Sequence, residues 1–127
     1  MTKTFSSSVS MIAGITLTIL IGVAPAGFAS AAGLPSECPG VIGDYNVITG
    51  TGVAQTLNGT AGKDFIDGGG GADTINGLGG DDCILGGGAV DTITTLGGND
   101  VILAGGGANV VDAGAGNNTI KIGRAHV

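Results

Sequence analysis

The chain has 127 residues, with 28 glycines, three phenylalanines, one tyrosine, no tryptophan and a formal net charge of −6. That length allows one small domain, and the shortage of large side chains excludes a conventional core built on aromatic packing. The acidic balance argues against nucleic acid and anionic lipid surfaces as partners, because both select basic patches.

Residues 1–31 read as a secretory signal peptide. Lys3 supplies a positive start, Met11 to Ala24 (MIAGITLTILIGVA) form an apolar run, and Ala29-Ser30-Ala31 gives a small-residue cleavage pattern. The run is about 14 residues, short of the roughly 20 that span a bilayer. Export with cleavage after Ala31 is therefore expected rather than a membrane anchor, so the mature chain is read as secreted and not inserted in a membrane. Its final address outside the cytoplasm (medium, wall or periplasm) stays open.

A short N-terminal segment follows at 32–40. It carries Cys38, and the other cysteine is Cys83. In an oxidising compartment two cysteines read more readily as a disulfide than as a metal or catalytic site. Spacing alone cannot decide the matter, because bridge geometry is specific. A bridge would tie this segment onto the body that follows. With no C-x-x-C and no credible histidine partner, thiol catalysis is not expected.

From Val41 the chain divides into nines: VIGDYNVIT, GTGVAQTLN, GTAGKDFID, GGGGADTIN, GLGGDDCIL, GGGAVDTIT, TLGGNDVIL, AGGGANVVD and AGAGNNTIK. The eighth place is always aliphatic, from Ile48 and Leu57 through Ile66, Ile75, Ile84, Ile93 and Ile102 to Val111 and Ile120. The sixth place holds Asp64, Asp73, Asp82, Asp91 and Asp100, flanked by the amides Asn46 and Gln55 on one side and Asn109 and Asn118 on the other. The seventh is mostly β-branched. Each unit thus reads as a glycine-rich turn followed by a very short strand around one buried aliphatic. Neither half is stable alone, but stacked parallel coils pair the strands and align the aliphatics into a core. A flexible linker needs no aliphatic at every ninth place.

These units resemble the RTX, or haemolysin-type, nonapeptide G-G-x-G-x-D-x-U-x, a calcium-binding β-helix repeat. Gly68 to Asn76 (GGGGADTIN) fits it at every fixed position, and the array spans Val41 to Lys121. The resemblance implies an all-β, parallel β-roll, a β-helix-like solenoid with about 18 residues per turn. Units two apart then stack at about 4.8 Å, placing Asp64, Asp82 and Asp100 on one edge and Asp73 and Asp91 on the other. Carboxylates that close repel unless a cation intervenes, and Ca²⁺ accepts six to eight oxygens. The resemblance implies about three well-formed Ca²⁺ sites, at Asp64–Asp82, Asp82–Asp100 and Asp73–Asp91, with carbonyls of Gly59, Gly68, Gly77 and Gly86 helping. The flanking amide units bring no charge, so their sites are expected to be weak or empty. Asp44, Asp67, Asp81 and Asp112 are expected to be solvated carboxylates. Calcium binding and folding are expected to be coupled, the chain staying unfolded until it meets extracellular calcium.

Ile122 to Val127 (IGRAHV) break the repeat. This tail reads as the mark of a truncated reading frame in preference to a genuine short extension, which leaves open whether further repeats or another domain follow. An N-terminal export peptide also departs from the C-terminal signal of many RTX proteins. Residues 32–40 are too few to house a catalytic site, so no enzyme activity is expected of this chain. The alternative is a fragment of a larger RTX protein, an adhesin or surface spacer or a secreted hydrolase whose catalytic domain is missing. Thr56, Thr74 and Thr92 align loosely like an ice-binding face, but strand propensity at an exposed place is the simpler account.

Overall fold

A turn and a short strand every nine residues wind the chain into a two-sheet roll. The computed structural model describes residues 34–123. The proposed signal peptide and its cleavage site, and the last four residues, lie outside the described residues. The strands are β1 (Asn46–Thr49), β2 (Thr56–Asn58), β3 (Asp64–Asp67), β4 (Thr74–Gly79), β5 (Cys83–Leu85), β6 (Thr92–Gly97), β7 (Val101–Gly105), β8 (Val110–Asp112) and β9 (Thr119–Ile122). Odd strands form a five-stranded sheet in the order β1-β3-β5-β7-β9, and even strands a four-stranded sheet in the order β2-β4-β6-β8.

Every pairing is parallel and, apart from irregularities where Leu78 meets Thr95 and Gly105 meets Ile122, joins equivalent places one coil apart. Ile66 pairs with Ile84, Ile84 with Ile102 and Ile102 with Ile120. On the other sheet Ile75 pairs with Ile93 and Ile93 with Val111. Eighth-place side chains from both sheets meet between them: Leu57, Ile66, Ile75, Ile84, Ile93 and Ile102 form one buried cluster with Ala104. Burying each of these side chains contributes roughly 1.5–3 kcal/mol. The fold is the parallel β-roll expected from the repeat.

The two outer faces differ. On the four-stranded sheet the seventh-place residues Thr56, Thr74, Thr92 and Val110 are exposed. On the five-stranded sheet the same place holds Phe65, Cys83 and Val101, which are buried with Cys38 and Tyr45 in a second cluster. Leu34, Ile42, Leu85 and Leu103 pack around it. The cover is the segment leading into the roll, which includes a single 3-10 turn at Ile42–Asp44. It is fastened by a Cys38–Cys83 disulfide with Cα atoms 5.8 Å apart. The Tyr45 hydroxyl donates to the Pro39 carbonyl at 2.6 Å, and the Lys63 ammonium lies 5.3 Å from the Tyr45 ring centroid. Phe65 and Tyr45 thus both serve this cover and leave the inter-sheet core aliphatic. Among the described residues no helix is long and apolar enough to cross a membrane.

Candidate metal site

The sixth place of each unit ends a turn as the chain enters its strand, and stacking brings those places into two columns. Asn46, Asp64, Asp82, Asp100 and Asn118 follow one edge; Gln55, Asp73, Asp91 and Asn109 follow the other. All five aspartates are buried. One carboxylate oxygen of Asp73, Asp82, Asp91 and Asp100 accepts a main-chain N–H one coil earlier. Asp64 N–H donates to Asp82 Oδ1 at 2.9 Å, Asp82 N–H to Asp100 Oδ1 at 2.9 Å, and Asp73 N–H to Asp91 Oδ1 at 2.9 Å. Gln55 N–H reaches Asp73 Oδ1 at 2.8 Å.

The second oxygen behaves differently. Oδ2 of Asp73, Asp82, Asp91 and Asp100 is buried and meets no donor. It faces its own turn, beside the residue at the first place. A Cβ built on Gly77 would stand 2.7 Å from Asp82 Oδ2, and one on Gly86 would stand 2.8 Å from Asp91 Oδ2. A Cβ on Gly68 would stand 3.0 Å from Asp73 Oδ2 and would also collide with the Gly86 carbonyl oxygen. Glycine at the first place therefore leaves a small space, lined by a carboxylate and a carbonyl oxygen at Gly68 and Gly86, and by Asp82 Oδ2, the Thr95 methyl and Ile84 at Gly77.

Asp64 differs. Its Oδ2 accepts the Thr60 N–H at 2.7 Å and the Thr60 hydroxyl at 3.1 Å, and its Oδ1 accepts Asn46 Nδ2 at 2.6 Å. The Gly59 space is nonetheless present, since a Cβ there would stand 2.6 Å from Asp64 Oδ2 and 2.7 Å from the Gly77 carbonyl.

A buried anionic oxygen with no donor is costly unless the group takes up a proton or a cation neutralises it. Burial pushes the Asp82 carboxyl up to about 7; the Asp64 N–H opposes this, and the charges of Asp100, Asp64 and Asp81 add to it. Burial likewise raises Asp91, opposed by the Asp73 N–H and reinforced by the Asp73 charge. Among the described residues no three acidic, histidine or cysteine side chains converge on one point. A cation would therefore be held by one or two carboxylates together with main-chain carbonyls. Such an all-oxygen donor set suits a hard cation such as Ca²⁺ rather than a metal that seeks thiolate or imidazole. The residues present fit Ca²⁺ on these grounds: unpartnered buried oxygens, and a space that a Cβ would fill.

Of the other aspartates, three cap turns and Asp81 links to the next coil. Asp44 Oδ2 accepts the Val41 N–H at 3.3 Å, Asp67 Oδ1 the Gly69 N–H at 3.1 Å, and Asp112 Oδ1 the Gly114 N–H at 3.3 Å. Asp81 Oδ1 accepts the Asn99 N–H at 2.8 Å. All four lie at least partly in solvent.

Two residues near the site escaped sequence reasoning. Thr60 supplies the donors to Asp64, which its place in a turn does not reveal. Thr95 occupies the first place, where the four preceding aspartate units have glycine; it is buried, and its hydroxyl donates to the Ala113 carbonyl at 2.8 Å. Its methyl would lie 2.8 Å from a Cβ on Gly77, beside Asp82 Oδ2. The missing glycine in TLGGNDVIL was the signal available for it.

The family model of the RTX calcium-binding nonapeptide repeat (4 copies) matches residues 49–84 and again residues 85–120. Among curated proteins and among solved structures, nothing matches the chain. The repeat matches cover more than half of the sequence, in the phase that carries the stacked aspartates. The chain belongs to the family of RTX calcium-binding nonapeptide repeat proteins.

Proposed function

We propose that this is a secreted calcium-binding β-roll, without catalysis of its own, whose folding is driven by the metal. The observation that carries the reading is the set of buried Oδ2 atoms on Asp73, Asp82, Asp91 and Asp100 that meet no donor. Calcium, when bound, supplies the positive charge these oxygens lack. Asp82, Asp91, Asp73 and Asp100 are the carboxylate ligands in this reading, with main-chain oxygens of Gly68, Gly77 and Gly86 beside them. Asp64 and Gly59 complete the first site on their edge, where Thr60 already engages the carboxylate. About three well-formed sites follow from the stacking, at Asp64–Asp82, Asp82–Asp100 and Asp73–Asp91.

Without the metal, buried like charges stand one coil apart at about 4.8 Å over a core of single aliphatics. Binding free energy then becomes folding free energy. Affinities of about 10⁻⁴–10⁻³ M, usual for extracellular modules, would keep the chain unfolded inside the cell and folded outside. Far-UV circular dichroism of the purified chain, titrated with Ca²⁺ and with Mg²⁺ as control, tests this. A coil spectrum that turns to β with Ca²⁺ alone supports the reading, and Asp82→Ala should shift that transition to higher Ca²⁺. A full β spectrum in chelator, unchanged by Ca²⁺, would sink it.

A further inference from the structure

The two amides that follow the aspartates are built differently from them. Asn109 keeps the aspartate's first contact, its Oδ1 accepting the Asp91 N–H at 2.8 Å. Its other atom is a donor, and it points into its own turn. Asn109 Nδ2 donates to the Ala104 carbonyl at 2.8 Å and the Gly106 carbonyl at 3.0 Å. Asn118 repeats the arrangement on the opposite edge: Oδ1 accepts the Asp100 N–H at 2.8 Å, and Nδ2 donates to the Ala113 carbonyl at 2.8 Å. Only this orientation of the amide satisfies both sides, because an N–H must face an oxygen and a carbonyl must face a donor.

In the neighbouring aspartate units the same position is an oxygen without a donor. The amide therefore brings positive hydrogens to the first-place and third-place carbonyls, where an aspartate brings a second negative atom. A further difference runs in parallel along the sequence. Asp64, Asp73, Asp82 and Asp91 have glycine at the first place of their unit, whereas Asn109 and Asn118 have Ala104 and Ala113. A Cβ on Gly86 would crowd Asp91 Oδ2, yet Ala104 carries one and is fully buried. The amide units fill, with a methyl and an NH₂, the space that the four glycine-bearing aspartate units leave open; the Asp100 unit, with Thr95 at its first place, stands between the two kinds.

We propose that Asn109 and Asn118 are built-in substitutes for the cation, so that the two units they close are complete without metal. Metal dependence is then confined to the aspartate units, and residues 104–121 give them a ready-made end on which to stack. This rests on the calcium reading above and deepens it, assigning an opposite role to units that sequence alone marks only as weak sites.

The test exchanges the two chemistries in the full chain. Asn109→Asp combined with Ala104→Gly, which reopens the first-place space, should bind one more Ca²⁺ per chain than the wild type by calorimetric titration and should have less β signal in chelator. Asp91→Asn should bind one fewer and keep more β signal in chelator than Asp91→Ala. The inference stands if both shifts appear, and Asp91→Asn decides alone if the Ala104→Gly, Asn109→Asp double variant does not fold at saturating Ca²⁺. Unchanged stoichiometry in the variants, with a wild type that binds Ca²⁺ normally, overturns the substitution role and leaves the calcium reading intact. A wild type that binds no Ca²⁺ overturns both.

Discussion

Asp82 holds the Asp64 N–H through Oδ1 at 2.9 Å while its Oδ2 stays buried without a donor. One carboxylate thus does two separable things: it links consecutive coils, and it leaves a charge to be neutralised. The linking half works in either protonation state, since a neutral carboxyl still has an oxygen that can accept the N–H. In the calcium reading proposed above, the neutralising half is what makes the roll sensitive to cations and to pH.

The pH dependence has a definite sign. Asp82 is raised from 3.8 to about 7 by burial in the metal-free roll, so the folded chain binds a proton more tightly than the unfolded chain. Its contribution to metal-free stability is fully present below about 4 and is lost as pH rises through about 7. In chelator, β signal should therefore increase on acidification from pH 8 to pH 5. Because a proton competes for the same oxygen, the Ca²⁺ midpoint should also be higher at pH 6 than at pH 8. A metal-free β signal that grows with rising pH would contradict the burial of this carboxylate.

Ile84 lies at the centre of the inter-sheet core, fully buried and paired with Ile66 and Ile102. The strands on either side fix its surroundings, so a cavity there cannot collapse easily. Ile84→Ala should cost about 2–5 kcal/mol, read as a lower urea midpoint at saturating Ca²⁺. Thr74→Val changes an exposed seventh-place residue on the uncovered sheet and should stay within about 0.5 kcal/mol. Equal losses from the two would contradict the assignment of the eighth place to the core.

Those two residues also show what could be read in advance. Ile84 and Asp82 obey a rule repeated every nine residues, so the stacked strands and their aliphatic core were legible in the pattern, while the two units per coil, and with them the register and the two acidic edges, came from the resemblance to the RTX repeat. Phe65, Cys83 and Val101 occupy the same place as Thr74, and nothing local separates them. They are buried because the segment ahead of the first strand, Leu34 to Tyr45, packs on their sheet, and no period announces such a contact. Asn109 read as a weaker ligand for a similar reason. Its composition says amide, while its effect depends on which atom of the amide faces the turn.

The disulfide should matter chiefly through that cover. Cys38 and Cys83 are separated by 45 residues, and closing a loop of that length stabilises by about 4 kcal/mol in the chain-entropy account. Reduction should lower the urea midpoint at saturating Ca²⁺ and expose the Phe65 and Val101 surface to a hydrophobic dye. Cys83→Ser should cost more than Cys38→Ser, because Cys83 is fully buried and a serine there gains a polar group among apolar neighbours. Equal midpoints with and without reductant would mean that packing alone holds the segment.

Thr95 offers a way to change the metal site without touching a carboxylate. Its methyl lies near Gly77 on the side where Asp82 Oδ2 is free, and its hydroxyl holds the Ala113 carbonyl. The two halves of the side chain can be removed separately. Thr95→Ser deletes the methyl and keeps a hydroxyl for Ala113, so it should lower the Ca²⁺ midpoint by about fivefold, the equivalent of about 1 kcal/mol. Thr95→Val keeps a methyl and deletes the hydroxyl, leaving the Ala113 carbonyl short of a donor at a cost of about 1–3 kcal/mol. It should lower the urea midpoint at saturating Ca²⁺ without tightening the metal. If Thr95→Ser leaves the Ca²⁺ midpoint where it was, the methyl does not obstruct the Asp82 oxygen, and the threonine serves only to fasten one coil to the next.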